Sequence, residues 1–429
     1  MNVLVVTDVL WRDDNGVGNS YSNIFRDIKD INVANICCQS GQSKNNISRA
    51  CFQISESSLI KNLKNKNIPS GVVEDVNAPI INAPTKAGFF SKIKRFRLQI
   101  FFWLRNLIWK LGRWKSEGLK KFIDDFKPDV IFAQLQDKIY LNNLIRFIKD
   151  YTGKPLFVYA WDDVYSLKQF SLSPLFWIDR LFQRRSIRKL TKKCDILYTI
   201  CDEQRIEYEK KLKVKTKLLY KGYDFIKTDF ISNLKEKEYP IKILYTGNLY
   251  SGRYKTIKKF CADLKEINKE KTLALLDVYS ATPLSKKQIK KINIENVSTF
   301  GGRVSEEQVK EYQKQSDVLL HVEPFTLKGS LLCRLSFSTK LVDYFYNGKC
   351  VFAVGHKRCS SMKYLKRNDA GIVVEKKKDV KNKLLKLLRD LENVKIYQEK
   401  SWKCGEKNHQ IKAIQSMLIE NFNKSIKKD

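Results

Sequence analysis

Short apolar runs recur along the chain, separated by longer stretches in which apolar positions return every three or four residues. The first pattern suits buried parallel strands and the second amphipathic helices, so their alternation predicts an α/β fold with parallel sheets. In the first half the strands are expected at "NVLVVTDV" (2–9), "VANICCQ" (33–39), "ACFQI" (50–54), "DVIFAQ" (129–134), "LFVYAW" (156–161) and "DILYTIC" (195–201). Around 220–240 the periodicity fails and the segment turns polar, so a linker is expected at 226–240. A second series follows: "KILYTG" (242–247), "TLALLDVY" (272–279), "NVSTFG" (296–301), "DVLLHVE" (317–323), "CVFAVG" (350–355) and "GIVVE" (371–375). The expected organisation is one domain over 1–225, a second over 241–400, and a C-terminal helix within 401–429 that packs back across the domains. Two doubly wound sheets in succession place ligand chemistry at the carboxyl ends of strands, in the crevice between the halves.

Composition agrees with a folded two-domain protein. A chain of 429 residues is long enough for two cores, and 43% hydrophobic content excludes a disordered tail. The ten cysteines show no C-x-x-C spacing, and several lie inside apolar runs, where a thiol behaves as a small hydrophobe. That usage points to a reducing compartment. The three histidines, His321, His356 and His409, leave little material for a His-built metal site. A strand begins at once after Met1, leaving no room for a signal peptide. The longest apolar run, "LQIFFWLRNLIWKL" (98–111), is interrupted by Arg105 and is too short to cross a bilayer. A cytoplasmic protein is expected.

The net charge of +35 carries less information than its size suggests, because a bias toward Lys, Asn and Ile scatters lysines over any surface. A partner is implied only where the charge clusters. It does so in "FFSKIKRFRLQIFFWLRNLIWKLGRWKSEGLKKF" (89–122), where aromatics and cations interleave and only Glu117 opposes them. Phe101, Leu104, Ile108 and Leu111 follow helical periodicity, and Phe102, Trp103, Trp109 and Trp114 broaden the apolar face. Such a segment is either an interfacial helix on an anionic inner-membrane surface or a core helix with a solvated rim. "SPLFWIDRLFQRRSIRKLTKK" (173–193) extends the same pattern. Nucleic acid is not the expected partner: zinc spacing, RNP-like aromatics and a Gly-rich KH loop are all missing.

Candidate chemistry gathers in "LSFSTKLVDYFYNGKCVFAVG" (335–355). Ser336, Ser338 and Thr339 are good N-cap types, and Gly348 suits a helix stop. A helix of about 8–10 residues is predicted, with Lys340 in its first turn. Free backbone N–H groups and the helix dipole favour an anion there, and the lysine adds a full positive charge. Asp343 lies one turn on, roughly 5 Å along the axis. That offset matches the separation of a diphosphate from its ribose, and a carboxylate accepts from two hydroxyls at once. The alternative is that Asp343 complements the dipole while Lys340 is solvated.

In this company the chain resembles the GT-B glycosyltransferases of the nucleotide-sugar-dependent family 4 type. "PDVIFAQ" resembles the family's "PDVVHAH", and "ILYTGNLYSGR" its "ilyvGrl...K". "CDILYTICDEQRIEYEKKLKVKTKLLYKGYD" and "NVSTFGGRVSEEQVKEYQKQSDVLLHVEP" match two further segments in order and spacing. "FSTKLVDYFYNGKCVFAVG" fits the branch with a "tK..eY" donor motif. The resemblance implies two Rossmann-like doubly wound domains facing a crevice, and transfer of a sugar from a nucleoside-diphosphate sugar. It implies that Lys340 and Arg253 hold the donor diphosphate, that Asp343 binds the ribose, and that Gly247, Ser338 and Thr339 line the donor site. Gly16 and Gly18, in "TDVLWRDDNGVGNSYSNIF", would bring backbone amides near the donor phosphates.

Departures from the family pattern are also legible. "WDDVY" (161–165) stands where a His-Asp pair is usual, so Asp162 and Asp163 become candidates for steering or deprotonating the acceptor, or else cap a helix. The family's first acidic residue of its paired acids falls on Leu335, and its phosphate arginine on Asn248. Glu323, at the end of "DVLLHVE", is a candidate replacement for the lost carboxylate. The resemblance implies retention of configuration, a saccharide or lipid-linked saccharide acceptor in surface-polysaccharide assembly, and a peripheral place at the inner face of the membrane. No D-x-D metal motif is evident, so turnover without metal or cofactor is expected. A non-hydrolysing nucleotide-sugar epimerase shares the architecture, but it needs acids and histidines that this chain is short of.

Overall fold

A computed structural model of the protein describes residues 1–74, 99–226 and 239–427. The chain forms two compact units. One comprises Met1–Leu167, Ser171–Leu219 and Gln415–Asp429; the other comprises Lys168–Phe170 and Tyr220–Ile414. The first long boundary thus falls at Leu219, a few residues before the expected end at 225. Of the expected linker 226–240, residues 227–238 lie outside the described residues.

The first unit holds an eight-stranded sheet. Its strands are β1 (Asn2–Thr7), β2 (Asn32–Cys37), β3 (Ser48–Ile54), β4 (Gly71–Val73), β5 (Val130–Gln134), β6 (Leu156–Ala160), β7 (Ile196–Thr199) and β8 (Thr216–Leu218). They lie in the order β4-β3-β2-β1-β5-β6-β7-β8, all parallel except β4, which runs antiparallel to β3. The second unit holds β9 (Ile241–Thr246), β10 (Ala274–Tyr279), β11 (Ser298–Gly302), β12 (Val318–Val322), β13 (Cys350–Val354) and β14 (Ile372–Val374). Their order, β11-β10-β9-β12-β13-β14, is fully parallel and is that of a doubly wound dinucleotide-binding sheet.

Every strand expected from the apolar runs forms. Helices cover a central parallel strand on both faces, so it must be apolar throughout, and Val3, Leu4, Val5 and Val6 of β1 are all fully buried. The short β4 and β8 escaped the sequence reading because three residues leave no run to recognise. At the C-terminus, Gln415–Asp429 belongs to the first unit: Asn421 donates to Tyr198 Oη at 3.0 Å, and the Phe422 ring lies 4.6 Å from Phe157.

The basic aromatic segment divides its apolar residues between the fold and the solvent. Residues 89–98 lie outside the described residues; beyond them run helices Gln99–Leu111 and Glu117–Phe126. Trp109 and Trp114 do not broaden an exposed face. They are buried at 1% and 9%, with Trp109 Nε1 donating to Glu56 and Trp114 Nε1 to the Trp109 carbonyl. Leu104 and Leu111, two of the positions that follow helical periodicity, are exposed. The helix turns its Trp109 side to the fold because that side also carries Arg105, which pairs with Glu56 and lies over the Tyr140 ring. Among the described residues no helix is long and apolar enough to cross a membrane. All ten cysteines are free thiols.

After β1 the chain turns into helix Gly16–Phe25, and the turn fixes Gly18. A Cβ there would lie 2.1 Å from the Arg12 carbonyl oxygen and 2.5 Å from the Arg12 nitrogen, which are backbone atoms that cannot step aside. Gly18→Ala is therefore expected to lower stability by about 1–3 kcal/mol, the usual range for overpacking, and urea unfolding would show it. A midpoint equal to wild type would mean that the turn can open.

Candidate active site

In the second unit the strand order reverses between β9 and β12, and the residues following these strands meet at their carboxyl ends. Gly247 follows β9 with φ +147°, and the Lys340 ammonium occupies the space its side chain would fill. A Cβ there would lie 1.7 Å from Lys340 Nζ. Lys340 opens the helix Lys340–Tyr346 and donates to the Thr246 carbonyl at 2.9 Å, with its Nζ 5.6 Å from the centre of the Tyr245 ring. Burial first, and then repulsion from Arg253, pull the lysine down to about 8.

Arg253 is the first residue of helix Arg253–Ile267. Its guanidinium donates to Glu323 Oε2 at 2.8 Å, to the Val322 carbonyl at 3.2 Å, to Asn248 Oδ1 at 3.3 Å and to Cys333 Sγ at 3.4 Å. Glu323 is 2% exposed. Burial opposes its charge, but Arg253 and then His321 outweigh burial and hold the carboxyl at about 2. His321 Nε2 stands 3.4 Å from Glu323 Oε1. His321 on β12 and Glu323 just past its end are two residues apart and point to the same side, as extended-strand geometry requires. The result is a row of charges at the switch point in which one carboxylate balances the arginine and the lysine keeps its charge against burial.

Asp343 sits one turn beyond Lys340, and its Oδ1 accepts from Lys221 Nζ at 2.5 Å and from Tyr223 Oη at 2.6 Å. Tyr223 is itself stacked on Tyr346 at 4.5 Å. The structure thus brings Gly247, Arg253, Glu323, Lys340 and Asp343 into one unit around the ends of β9 and β12. Ser338 and Thr339 immediately precede the lysine. Neither caps the helix with its side chain: Thr339 is the N-cap residue in helical conformation, and the Ser338 amide donates to Ser361 Oγ at 3.0 Å. The helix is also shorter than expected, at seven residues.

Four of the candidates are engaged by protein groups. The Arg253 guanidinium is held by Glu323. Glu323 in turn is not an unengaged substitute for the missing family acid. In the first unit, Asp163 is structural: it is buried, accepts from the amides of Tyr165 and Ser166 at 3.3 and 2.8 Å and from the Ser166 hydroxyl, and lies 3.9 Å from Arg180. It caps its own loop. Asp162 beside it has an exposed side chain, while its carbonyl accepts from Gln204 at 2.9 Å. Gly18 does not offer its amide to a phosphate, since that amide donates to Asn15 Oδ1 at 2.8 Å. Gly16 is exposed at the start of the same helix.

The sequence reading missed Lys221, Tyr223, His321 and Cys333, as well as one residue in the first unit. Asp8, just past β1, is 4% exposed and accepts from Tyr140 Oη at 2.5 Å and from Lys138, with Arg105 at 3.9 Å. Only His321 left a signal, its two-residue spacing from Glu323. The others depend on partners far away in the sequence.

Cations and carboxylates gathered at the switch point of a doubly wound sheet have the chemistry to hold an anionic, hydroxylated ligand such as a nucleotide. Residues 225–403 match the family model described as glycosyl transferases group 1. Comparison with curated proteins gives no match. Among solved structures, HepE from Anabaena in complex with UDP is similar over 99% of this chain and 100% of its own, with 12% identity and a TM-score of 0.64. A sucrose-phosphate synthase from Thermosynechococcus elongatus covers 100% of both chains at 11% identity and a TM-score of 0.65. WaaG, a glycosyltransferase involved in lipopolysaccharide biosynthesis, covers 97% of this chain and 98% of its own at 13% identity and a TM-score of 0.56. At these identities the likeness is one of fold, and that fold is GT-B. None of these comparisons supports the epimerase alternative.

Proposed function

We propose that the protein transfers a sugar from a nucleoside-diphosphate sugar to a saccharide acceptor, lipid-linked and in surface-polysaccharide assembly, with retention of configuration and without a metal. The observation that carries this reading is the Lys340 ammonium seated over Gly247 beside Arg253, at the switch point of a glycosyl transferases group 1 domain. The UDP and UDP-glucose complexes of HepE support a nucleotide-sugar donor, and the pathway named for WaaG supports a saccharide acceptor.

Negative charge builds on the leaving diphosphate as the glycosidic bond breaks. Cations placed there stabilise the transition state more than the bound substrate, and so raise the rate. Lys340 supplies that charge directly. Arg253, with its position fixed by Glu323, presents the N–H of Nη1 that its protein partners leave over to the same phosphates. Asp343, whose Oδ1 is held by Lys221 and Tyr223, takes a ribose hydroxyl on Oδ2 in this reading. Asp162, an exposed residue of the first unit, steers an acceptor hydroxyl in this reading. The leaving phosphate, in this retaining reading, accepts the acceptor's proton.

A thermal-shift panel of uridine, guanosine and cytidine diphosphates and their sugar conjugates, with and without EDTA, tests the proposal. One nucleotide series should raise the melting temperature regardless of chelator, and a panel without any response would sink the donor assignment. The pH dependence has a defined sign. The lysine titrates near about 8 in the free protein and binds phosphate only when protonated. Donor affinity should therefore stay level up to about pH 8 and then fall by up to about tenfold per pH unit. Calorimetry across pH 6.5 to 9.5 reads this out, and affinity that rises with pH would exclude Lys340 as the phosphate ligand.

A further inference from the structure

We propose that the exposed face of the helix Pro174–Thr191 is a docking surface for an anionic lipid bilayer. Leu175, Ile178, Leu181 and Phe182 are 45%, 45%, 59% and 57% exposed, and Leu172, just before the helix, is 89% exposed. Arg185, Arg188 and Lys189 follow on exposed positions. At 100° per residue these seven helical positions fall within one arc of about 140°. Its first two turns are apolar and its last two are cationic.

The opposite arc holds the helix to the first unit. Ile187 and Leu190 are fully buried, as are Arg180, which donates to the carbonyls of Asp163 and Ser166, and Asp179, which accepts from Gln183. Asp179 is the helix's sole carboxylate and faces inward, so the exposed arc has no negative charge at all. Arg188 is engaged by the Tyr165 hydroxyl at 2.7 Å, whereas Arg185 and Lys189 form no ion pair among the described residues.

A water-exposed stripe of four large apolar side chains is unfavourable in a soluble monomer unless something covers it. Charge complementarity selects the cover. Apolar side chains leading into unpaired cations, with no acid between them, match the acyl chains and phosphates of an anionic leaflet. A protein partner would more commonly meet mixed charge at the rim. The helix Gln99–Leu111 also exposes Phe102, Leu104, Leu107 and Leu111, but its cations in the described face are Arg105, bound to Glu56, and Lys110. The pairing of apolar and free cationic turns is therefore strongest on Pro174–Thr191.

This inference deepens the membrane-side part of the proposed function and rests on that reading only for its purpose. The test contains no sugar nucleotide, so the docking and the transfer reaction stand or fall separately. Full-length protein is sedimented with vesicles of phosphatidylcholine alone or with about one third phosphatidylglycerol. Wild type should bind the anionic vesicles, weakly or not at all the neutral ones, and release as salt rises. Arg185→Glu with Lys189→Glu should weaken partitioning by at least about fivefold per charge. Ile178→Ser with Phe182→Ser should weaken it by at least about tenfold while leaving the melting temperature in place, because both side chains lie on the solvent face. Equal recovery with both vesicle types overturns the proposal, as does wild-type binding by both double variants. Self-association of wild type that Phe182→Ser abolishes, seen by sedimentation velocity, would make the face a protein interface and overturn it too.

Discussion

Lys340→Ala is expected to weaken binding of the donor nucleotide by roughly 10- to 150-fold, the equivalent of losing one charge-assisted hydrogen-bond set worth about 1.5–3 kcal/mol. The lysine is the one cation of the site without a carboxylate hydrogen-bonded to it among the described residues; its Nζ donates to the Thr246 carbonyl. Its charge is therefore available to a phosphate, whereas that of Arg253 is shared with Glu323. The same substitution should leave the fold intact or make it slightly more stable. A lysine held at about 8 is one whose charged form the folded state disfavours, so at pH 7 removing it relieves a penalty. Loss of affinity with an unchanged or raised melting temperature is thus the signature of a binding residue. Lys340→Arg should not rescue, because the ammonium fits in the notch left by the missing Gly247 side chain and a planar guanidinium is too wide for it. Calorimetric titration with the responding nucleotide checks both points, and equal affinities for wild type and Lys340→Ala would remove the lysine from the site.

Glu323→Ala should have the largest effect on stability, a loss of about 3–5 kcal/mol in urea unfolding. It leaves Arg253 half-buried with its principal partner gone, and removing one member of an interior pair strands the other charge. Arg253→Ala strands Glu323, which is the more deeply buried of the two. The double variant should then lose clearly less than the sum of the single losses, because each substitution removes the charge that the other would leave unpaired. Acid should act in the same way. The folded carboxyl titrates near about 2, well below its ordinary value of 4.5. Its contribution is fully present above about 4.5 and is lost progressively as pH falls from there toward 2. A Glu323→Ala protein as stable as wild type at pH 7, or additive single losses, would show that the pair is not coupled.

Much of this architecture was legible in the apolar runs, since a parallel strand buried on both faces has to be apolar from end to end, and each central strand sits where such a run predicts it. Gly247, Lys340, Asp343 and Arg253 were also legible as candidates, because short-range spacing fixes their places at strand ends and helix starts. Their partners were not. Arg253 and Glu323 are 70 positions apart, and Lys221 and Asp343 are 122 apart. Neighbouring residues diverged as well: Asp162 has an exposed side chain while Asp163 is consumed by its own loop. The sequence left the basic aromatic segment as either an interfacial or a core helix, and Glu56, far from it in the chain, draws Trp109 inward.

By itself, then, the order of residues determined two parallel sheets, the strands that build them and the loops that carry ionised groups, because periodicity is a local property that burial imposes directly. Tertiary structure alone decided which cation remains available, which carboxylate is spent on a neighbour and which helix face meets solvent. Those outcomes depend on distance and dielectric between groups that the fold brings together, and one-dimensional spacing does not encode either.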